Sequence, residues 1–200
     1  MDERIEAIRQ EIAHHPSNQA LLAQGYQPLF VAGPRARLVV IGQAPGIRAQ
    51  TAGLAWDDAS GQRLMRWMGV DEATFRDPEQ IAHLPMDFYY PGKGKSGDIP
   101  PRRDFAPLWH DRLMALMPDL RLALLVGQYA QRHYLGSRRQ ANLTQTVHNY
   151  QAYLPDYFPI VHPSPLNFRW LAANPWFEQE LVPVLQQQVR NALSKQPDSL

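Results

Sequence analysis

Two stretches of this chain, Arg37-Leu38-Val39-Val40-Ile41 and Leu122-Ala123-Leu124-Leu125-Val126, are runs of β-branched and aliphatic residues with no polar alternation. A strand with one wet face alternates apolar and polar residues. An unbroken run marks a strand covered on both sides, as in a parallel sheet flanked by helices. Parallel neighbours need a crossover long enough for a helix, and that crossover is right-handed. Two further runs, Met86-Asp87-Phe88-Tyr89-Tyr90 and Tyr157-Phe158-Pro159-Ile160-Val161, are rich in aromatic and β-branched residues and read as the second and fourth strands.

Helix-period segments fill the gaps. Ile5, Ile8 and Ile12 form one stripe of a helix over residues 1–14, which Pro16 ends. Ala20–Ala23 predicts a short helix stopped by Gly25. Gly46 leads into a polar loop, then Asp57, Asp58 or Ser60 caps a helix carrying Leu64, Met65 and Met68. Residues 71–82 read as a short helix broken at Pro78, and residues 91–97 as a Gly/Pro loop. Asp104 caps a helix through Met117, Gly127 opens another to about Leu135, and Asn174-Pro175 marks the start of the last, to about Leu193. Strands alternating with helices make the chain α/β. With no repeat, linker or composition break, 200 residues are expected to form a single domain, with a core over about 35–190 and residues 1–34 as a helical N-terminal extension.

Several chemistries are excluded. There is no cysteine, so disulfides, thiolate nucleophiles and Cys-held clusters or zinc sites are out. The histidines show no His-Glu-x-x-His spacing, and no metal site is expected. No apolar run approaches the ~18 residues a membrane span needs. The charged start Met1-Asp2-Glu3-Arg4 has no apolar signal region after it, so a cytoplasmic protein is expected. A net charge of +1 does not point to nucleic acid, although a local patch of Arg and Lys can bind phosphates. Gly94-Lys95-Ser96 matches the end of a phosphate loop, but Tyr89 stands at the first glycine and Pro100-Pro101 follows in place of a helix, so an NTP site is rejected.

Ligands of open α/β sheets bind at the carboxyl ends of the strands. The loops there are Gly42-Gln43-Ala44-Pro45-Gly46, after the first strand, and His162-Pro163-Ser164-Pro165-Leu166-Asn167, after the last. This pair resembles the uracil-DNA glycosylase superfamily, which has Gly-Gln/Glu-x-Pro after its first strand and His-Pro-Ser after its last. The second motif matches the family's founding branch throughout. The first is more similar to a branch with Gly-Glu-Ala-Pro-Gly. Leu54-Ala55-Trp56, Leu124-Leu125-Val126-Gly127 and Asn174-Pro175-Trp176-Phe177 fall in the family's order, and the likeness covers roughly residues 35–190. It implies a three-layer α/β/α sandwich around a four-stranded parallel sheet of order 2-1-3-4. The Gly-Glu-Ala-Pro-Gly branch usually holds an iron–sulfur cluster on four cysteines, which this chain lacks and so cannot hold.

The implied activity is hydrolysis of the N-glycosidic bond of uracil or another deaminated base in DNA, the first step of base excision repair, by a monofunctional glycosylase that needs no cofactor. The base is flipped into a pocket, and negative charge develops on it as the bond breaks. By resemblance His162 donates to the base carbonyl, and Gln43 presents its backbone or side chain to base or water. Trp56 stacks on the base, an aromatic face suiting any base. Gly42, Ala44 and Gly46 shape the pocket. Leu166 wedges into the vacated position, with Pro163, Ser164, Pro165 and Asn167 around it on the DNA. Lys93, Lys95 and Arg169 contact the backbone, with Arg102 and Arg103 flanking the same Gly/Pro loop. The partner is single- or double-stranded DNA, and a monomer is expected.

The chain departs from the family at three places. Ala44 stands where the founding branch has a water-positioning aspartate, and Gly46 where it has a tyrosine that excludes thymine, so a larger base has room. Asp87 sits near a base-reading asparagine; an ionised aspartate accepts only, and faces uracil O4 unfavourably. Either the alignment slips, bringing Tyr89 or Tyr90 to the pocket, or Asp87 is protonated, or the base is not uracil. Two other readings stand beside the enzyme: a non-catalytic sensor of damaged bases, and a small-molecule nucleoside hydrolase.

Overall fold

The structure, a computed structural model, describes residues 2–95 and 97–194. Four parallel strands form one sheet: β1 (Leu38–Ile41), β2 (Ile81–His83), β5 (Leu122–Val126) and β6 (Tyr157–Ile160), in the order β2-β1-β5-β6. Between β2 and β5 lies a small antiparallel hairpin, β3 (Lys93–Gly94) and β4 (Gly97–Asp98). Numbered without the hairpin, the sheet has the expected order 2-1-3-4.

Alternate residues of the strands go to opposite faces. Val39, Ile41, Ala123 and Leu125 enter one apolar cluster, with Ile5, Ile8 and Ile12 of α1 (Glu3–His14), Phe105, Trp109 and Leu113 of α6 (Phe105–Met114), and Ala130 and Leu135 of α7 (Gly127–Leu135). Leu38, Val40, Leu124, Phe158 and Ile160 enter the other, with Leu64 and Met68 of α4 (Ala59–Met68), Phe75 of α5 (Glu72–Arg76), Val147 of α8 (Leu143–His148), and Leu185 and Val189 of α10 (Val182–Leu193). The short helices α2 (Gln19–Ala23), α3 (Ile47–Ala52) and α9 (Phe168–Ala173) complete the chain. Helices on both faces of the sheet make the three layers. The isoleucine stripe of α1 is part of the first core rather than an appendage to it.

Several expected boundaries move. The second strand is Ile81–His83, not residues 86–90. Pro85 interrupts the chain, and the aromatic run beyond it packs as irregular core, with Phe88 and Tyr89 buried. Its first amides still pair with the motif loop: Met86 N–H donates to Gly42 O at 2.9 Å and Asp87 N–H to Gln43 O at 3.2 Å. Residues 47–52 are helix rather than polar loop, because Gly46 caps the start in extended backbone and Gly53 closes the end at φ 65°. The Gly/Pro loop carries the hairpin. Asp104 precedes α6 without a side-chain cap, and α6 ends at Met114 rather than Met117. After Asn174-Pro175 the last helix opens with a π-helical turn, Phe177–Leu181.

Two histidines are built in as neutral core groups. His83 Nε2–H donates to Phe75 O at 2.9 Å; His110 Nε2–H donates to Pro85 O at 2.9 Å, and its Nδ1 accepts from Tyr134 Oη at 2.6 Å. Burial holds both well below the usual imidazole range, at about 4. The unfolded chain therefore takes up protons between pH 6.5 and 4 that the folded chain does not. Stability is fully present above pH 6.5 and is lost as pH falls through that window. Urea denaturation at pH 7.5 and pH 5 is expected to show a loss of about 2 kcal/mol per histidine. Equal midpoints at the two pH values would contradict this.

Candidate active site

The loops after β1 and β6 open on one cleft of about 500 Å3 at the carboxyl edge of the sheet. Gly42, Gln43, Ala44, Gly46, Trp56, His162, Ser164, Leu166 and Asn167 all line it. The centroids of the His162 and Trp56 rings are 5.9 Å apart, with the planes at 34°. Two residues more than a hundred positions apart thus meet in one cleft.

The loop carrying His162 is tied from several sides. Asn167 Nδ2–H donates to His162 O at 2.7 Å, and Arg63 Nη1–H donates to Ser164 O at 3.1 Å from across the cleft wall. Ser164 Oγ accepts from Leu166 N–H at 3.2 Å and caps the turn Pro165–Asn167. Ser164 N–H donates to His162 Nδ1 at 3.2 Å. Nδ1 is therefore an acceptor, and the neutral ring carries its proton on Nε2. Burial lowers the His162 pKa from its ordinary value; Asp58, a carboxylate that also lines the cleft, pulls it the other way. The net direction is down, which keeps the ring neutral with one N–H to give.

Trp56 is held against its own backbone preference. Its φ is 58°, the left-handed region that a bulky residue enters only where its surroundings force it there. Two glycines make this possible. A Cβ at Gly42 would lie 2.9 Å from Trp56 Cζ2, and one at Gly61 would lie 1.9 Å from Trp56 O. Gly42 thus lets the indole lie across the first motif, and Gly61 lets α4 start against the Trp56 carbonyl. Gly42→Ala is expected to push the indole off the motif with little loss of stability. Gly61→Ala collides with backbone and is expected to cost about 3 kcal/mol, in the range of overpacked cores. Thermal melts and tryptophan fluorescence of the two variants separate these effects.

The other expected site residues divide. Gln43 is half-buried, and its carbonyl is held by Asp87 N–H. At Gly46 a Cβ would meet nothing within 4 Å, so the pocket is open there. Asp87 does not line the cleft. It is 1% exposed, and its carboxylate accepts from Arg102 Nε at 2.7 Å and Nη2 at 2.8 Å, and from the Arg102 and Tyr89 amides at 3.2 and 3.1 Å. An oxygen pair so engaged has nothing left for a base edge. Tyr89 is buried too, and neither Tyr89 nor Tyr90 lines the cleft. Lys93 and Lys95 are exposed at the hairpin, where Lys93 pairs with Asp98, a lining residue. Pro163 is buried beneath the loop; Pro165 is exposed on it. Leu166, 83% exposed, stands on the rim, and Arg169 is exposed on α9.

Residues not expected from the sequence also reach the cleft. Asp58 caps α4, its Oδ1 accepting from Gly61 N–H at 2.8 Å. Gln128 and Tyr129 enter from the first turn of α7. The signal for them was available: β5 lies between β1 and β6, so its carboxyl end must open on the same edge.

An open parallel sheet with a cleft at its carboxyl edge, lined by an imidazole and an indole, defines an α/β protein whose cleft lies where ligands of such sheets bind. The family model described as the uracil DNA glycosylase superfamily matches residues 30–186, and the chain belongs to that superfamily. Its members are generally glycosylase hydrolases that act on DNA. Among the described residues, no helix is long and apolar enough to cross a membrane.

Proposed function

We propose that the protein is a monofunctional DNA glycosylase that draws uracil or another deaminated base out of DNA and hydrolyses its N-glycosidic bond. The carrying observation is the neutral His162 beside Trp56. As the bond from C1′ to the base nitrogen lengthens, its electron pair moves onto the base and charge builds on the carbonyl oxygen. His162 Nε2–H donates to that oxygen. A neutral donor is well matched to an anion that must later leave. Trp56 offers the face on which the base stacks. Gly42, Gln43, Ala44 and Gly46 form the rest of its surround, and the space at Gly46 admits a base larger than uracil.

Water must add to C1′ and lose a proton, which calls for an acceptor near the sugar. Ala44 supplies none. Asp58 is the candidate: it lines the cleft, its charge acts on His162, and Oδ1 alone is taken by the helix cap. Asp58→Asn keeps an oxygen for the cap. It is expected to lower the single-turnover rate by about 10²-fold, the scale of general base loss, with substrate affinity within threefold. An unchanged rate would remove Asp58 from the reaction. Leu166 fills the space the base leaves. Ser164, Pro165, Asn167, Lys93, Lys95 and Arg169 hold the DNA backbone; Pro163, buried beneath the loop, shapes the turn instead.

The test is a panel of single- and double-stranded oligonucleotides carrying uracil, hypoxanthine, xanthine or a cytosine adduct. Alkali-labile abasic sites above a His162→Ala control support the reading. Tight binding with no product would instead favour a damage sensor, and equal activity on free nucleosides a small-molecule hydrolase.

A further inference from the structure

One rim residue has no part in this chemistry. The chain has seven phenylalanines, and six of them are at most 3% exposed. The seventh, Phe168, is 59% exposed. It opens α9 directly after the turn that carries Leu166, and it does not line the cleft, so a base lodged there does not meet it. The neighbouring Arg169 holds its guanidinium carbon 5.6 Å from the Phe168 ring centroid. A lone apolar residue at a surface is ordinary. An aromatic ring with a cation at its side, two residues from another exposed apolar side chain on the rim of a DNA-facing cleft, has a specific chemical use. Ring faces stack on bases of any sequence, and a guanidinium beside them meets the phosphate.

The spacing fits one occupant. Two residues span at most about 7 Å of chain, and successive bases of a strand rise by about 3.4 Å. With Leu166 in the vacated position, Phe168 falls within one or two nucleotides of it. Building on the glycosylase reading, we propose that Phe168, with Arg169, is a second nucleobase subsite that stacks on a base flanking the extruded nucleotide. The two rim residues then divide the work. Leu166 plugs a duplex, and acts only where there is a stack to plug. Phe168 grips an unstacked neighbour, and so acts on single strands as well as on locally opened duplex.

The test measures binding and turnover separately. Binding uses a fluorescent oligonucleotide bearing a tetrahydrofuran abasic analogue, single-stranded and duplex, which requires no catalysis. Phe168→Ala is expected to weaken single-strand binding about tenfold, within the range for loss of one stacked base. On a cleaved substrate it raises KM by a similar factor, with the single-turnover rate at saturation within twofold. Phe168→Trp restores both. Leu166→Ala weakens duplex binding but leaves single-strand binding unchanged. Arg169→Gln flattens the dependence of log affinity on log salt by about one unit. Phe168→Ala within twofold of the parent on both DNAs, with an unchanged melting temperature, overturns the subsite while leaving the glycosylase reading intact. A parent protein that binds the analogue tightly but cleaves no substrate overturns the glycosylase reading, and the binding series still judges Phe168.

Discussion

His162→Ala is expected to lower the single-turnover cleavage rate by about 10²–10³-fold, the usual cost of removing one donor to a developing oxyanion, with DNA binding and melting temperature near those of the parent. The ring contributes one N–H, and the loop around it is held by Asn167, Arg63 and the Ser164 cap, none of which needs the imidazole to reach its partner. The pH profile gives a second readout. Burial lowers the His162 pKa below its ordinary value near 6.5. The neutral ring, with Ser164 N–H donating to Nδ1, therefore persists to more acid solution than a free imidazole would allow. The acid limb of the rate should therefore lie at lower pH than the titration of a free imidazole. A profile already half lost at pH 7, or a His162→Ala protein within fivefold of the parent, would remove His162 from the reaction.

Arg102→Ala is expected to cost about 3–5 kcal/mol of stability, the penalty for stranding a buried charge, or a melting point lower by roughly 10 °C for a chain of this size. Asp87 is 1% exposed, and two of its four donors come from the guanidinium. Losing them leaves a carboxylate sealed in the core with two backbone amides. The same guanidinium donates to Asn18 Oδ1 at 2.6 Å and lies 4.5 Å from the Phe105 ring centroid, so Arg102→Lys, which cannot bridge both oxygens, is expected to recover little. Asp87→Asn combined with Arg102→Met removes both charges, keeps a side-chain oxygen for the backbone amides of Tyr89 and residue 102, and should recover part of the loss. Urea denaturation of the three proteins decides the matter. A single-variant loss below 1 kcal/mol would show that the pair does not hold this region.

The fold could be read from the sequence where burial on both sheet faces stripped the strands of polar residues. Leu38–Ile41 and Leu122–Val126 are such strands. Ile81–His83 is an edge strand of three residues ending in a histidine, and its period is too short to register. The aromatic run after it carries more apolar bulk, and bulk alone does not tell a strand from irregular core. His162 to Leu166 stood out in the sequence through its likeness to a family motif, and the cap, turn and ring partner that shape it all lie within six residues. The strained backbone of Trp56 was not, since the two glycines that allow it stand 14 residues before and 5 after. The reassignment of Asp87 was hidden for a similar reason. Its partner is 15 residues away across a loop, and no spacing rule joins two residues whose separation is set by tertiary structure.

That clasp has a corollary for how such a protein can change. The Asp87–Arg102 pair closes the stretch between them; Phe88 and Tyr89 stay in the core, and the lysine-bearing hairpin projects beyond them. Phe88, Tyr89 and Pro101 are buried, so only the stretch between Tyr90 and Pro101 is open to change in length and charge under the same anchorage. A change there alters the charge beside the cleft while the loops after β1 and β6 stay where the sheet puts them.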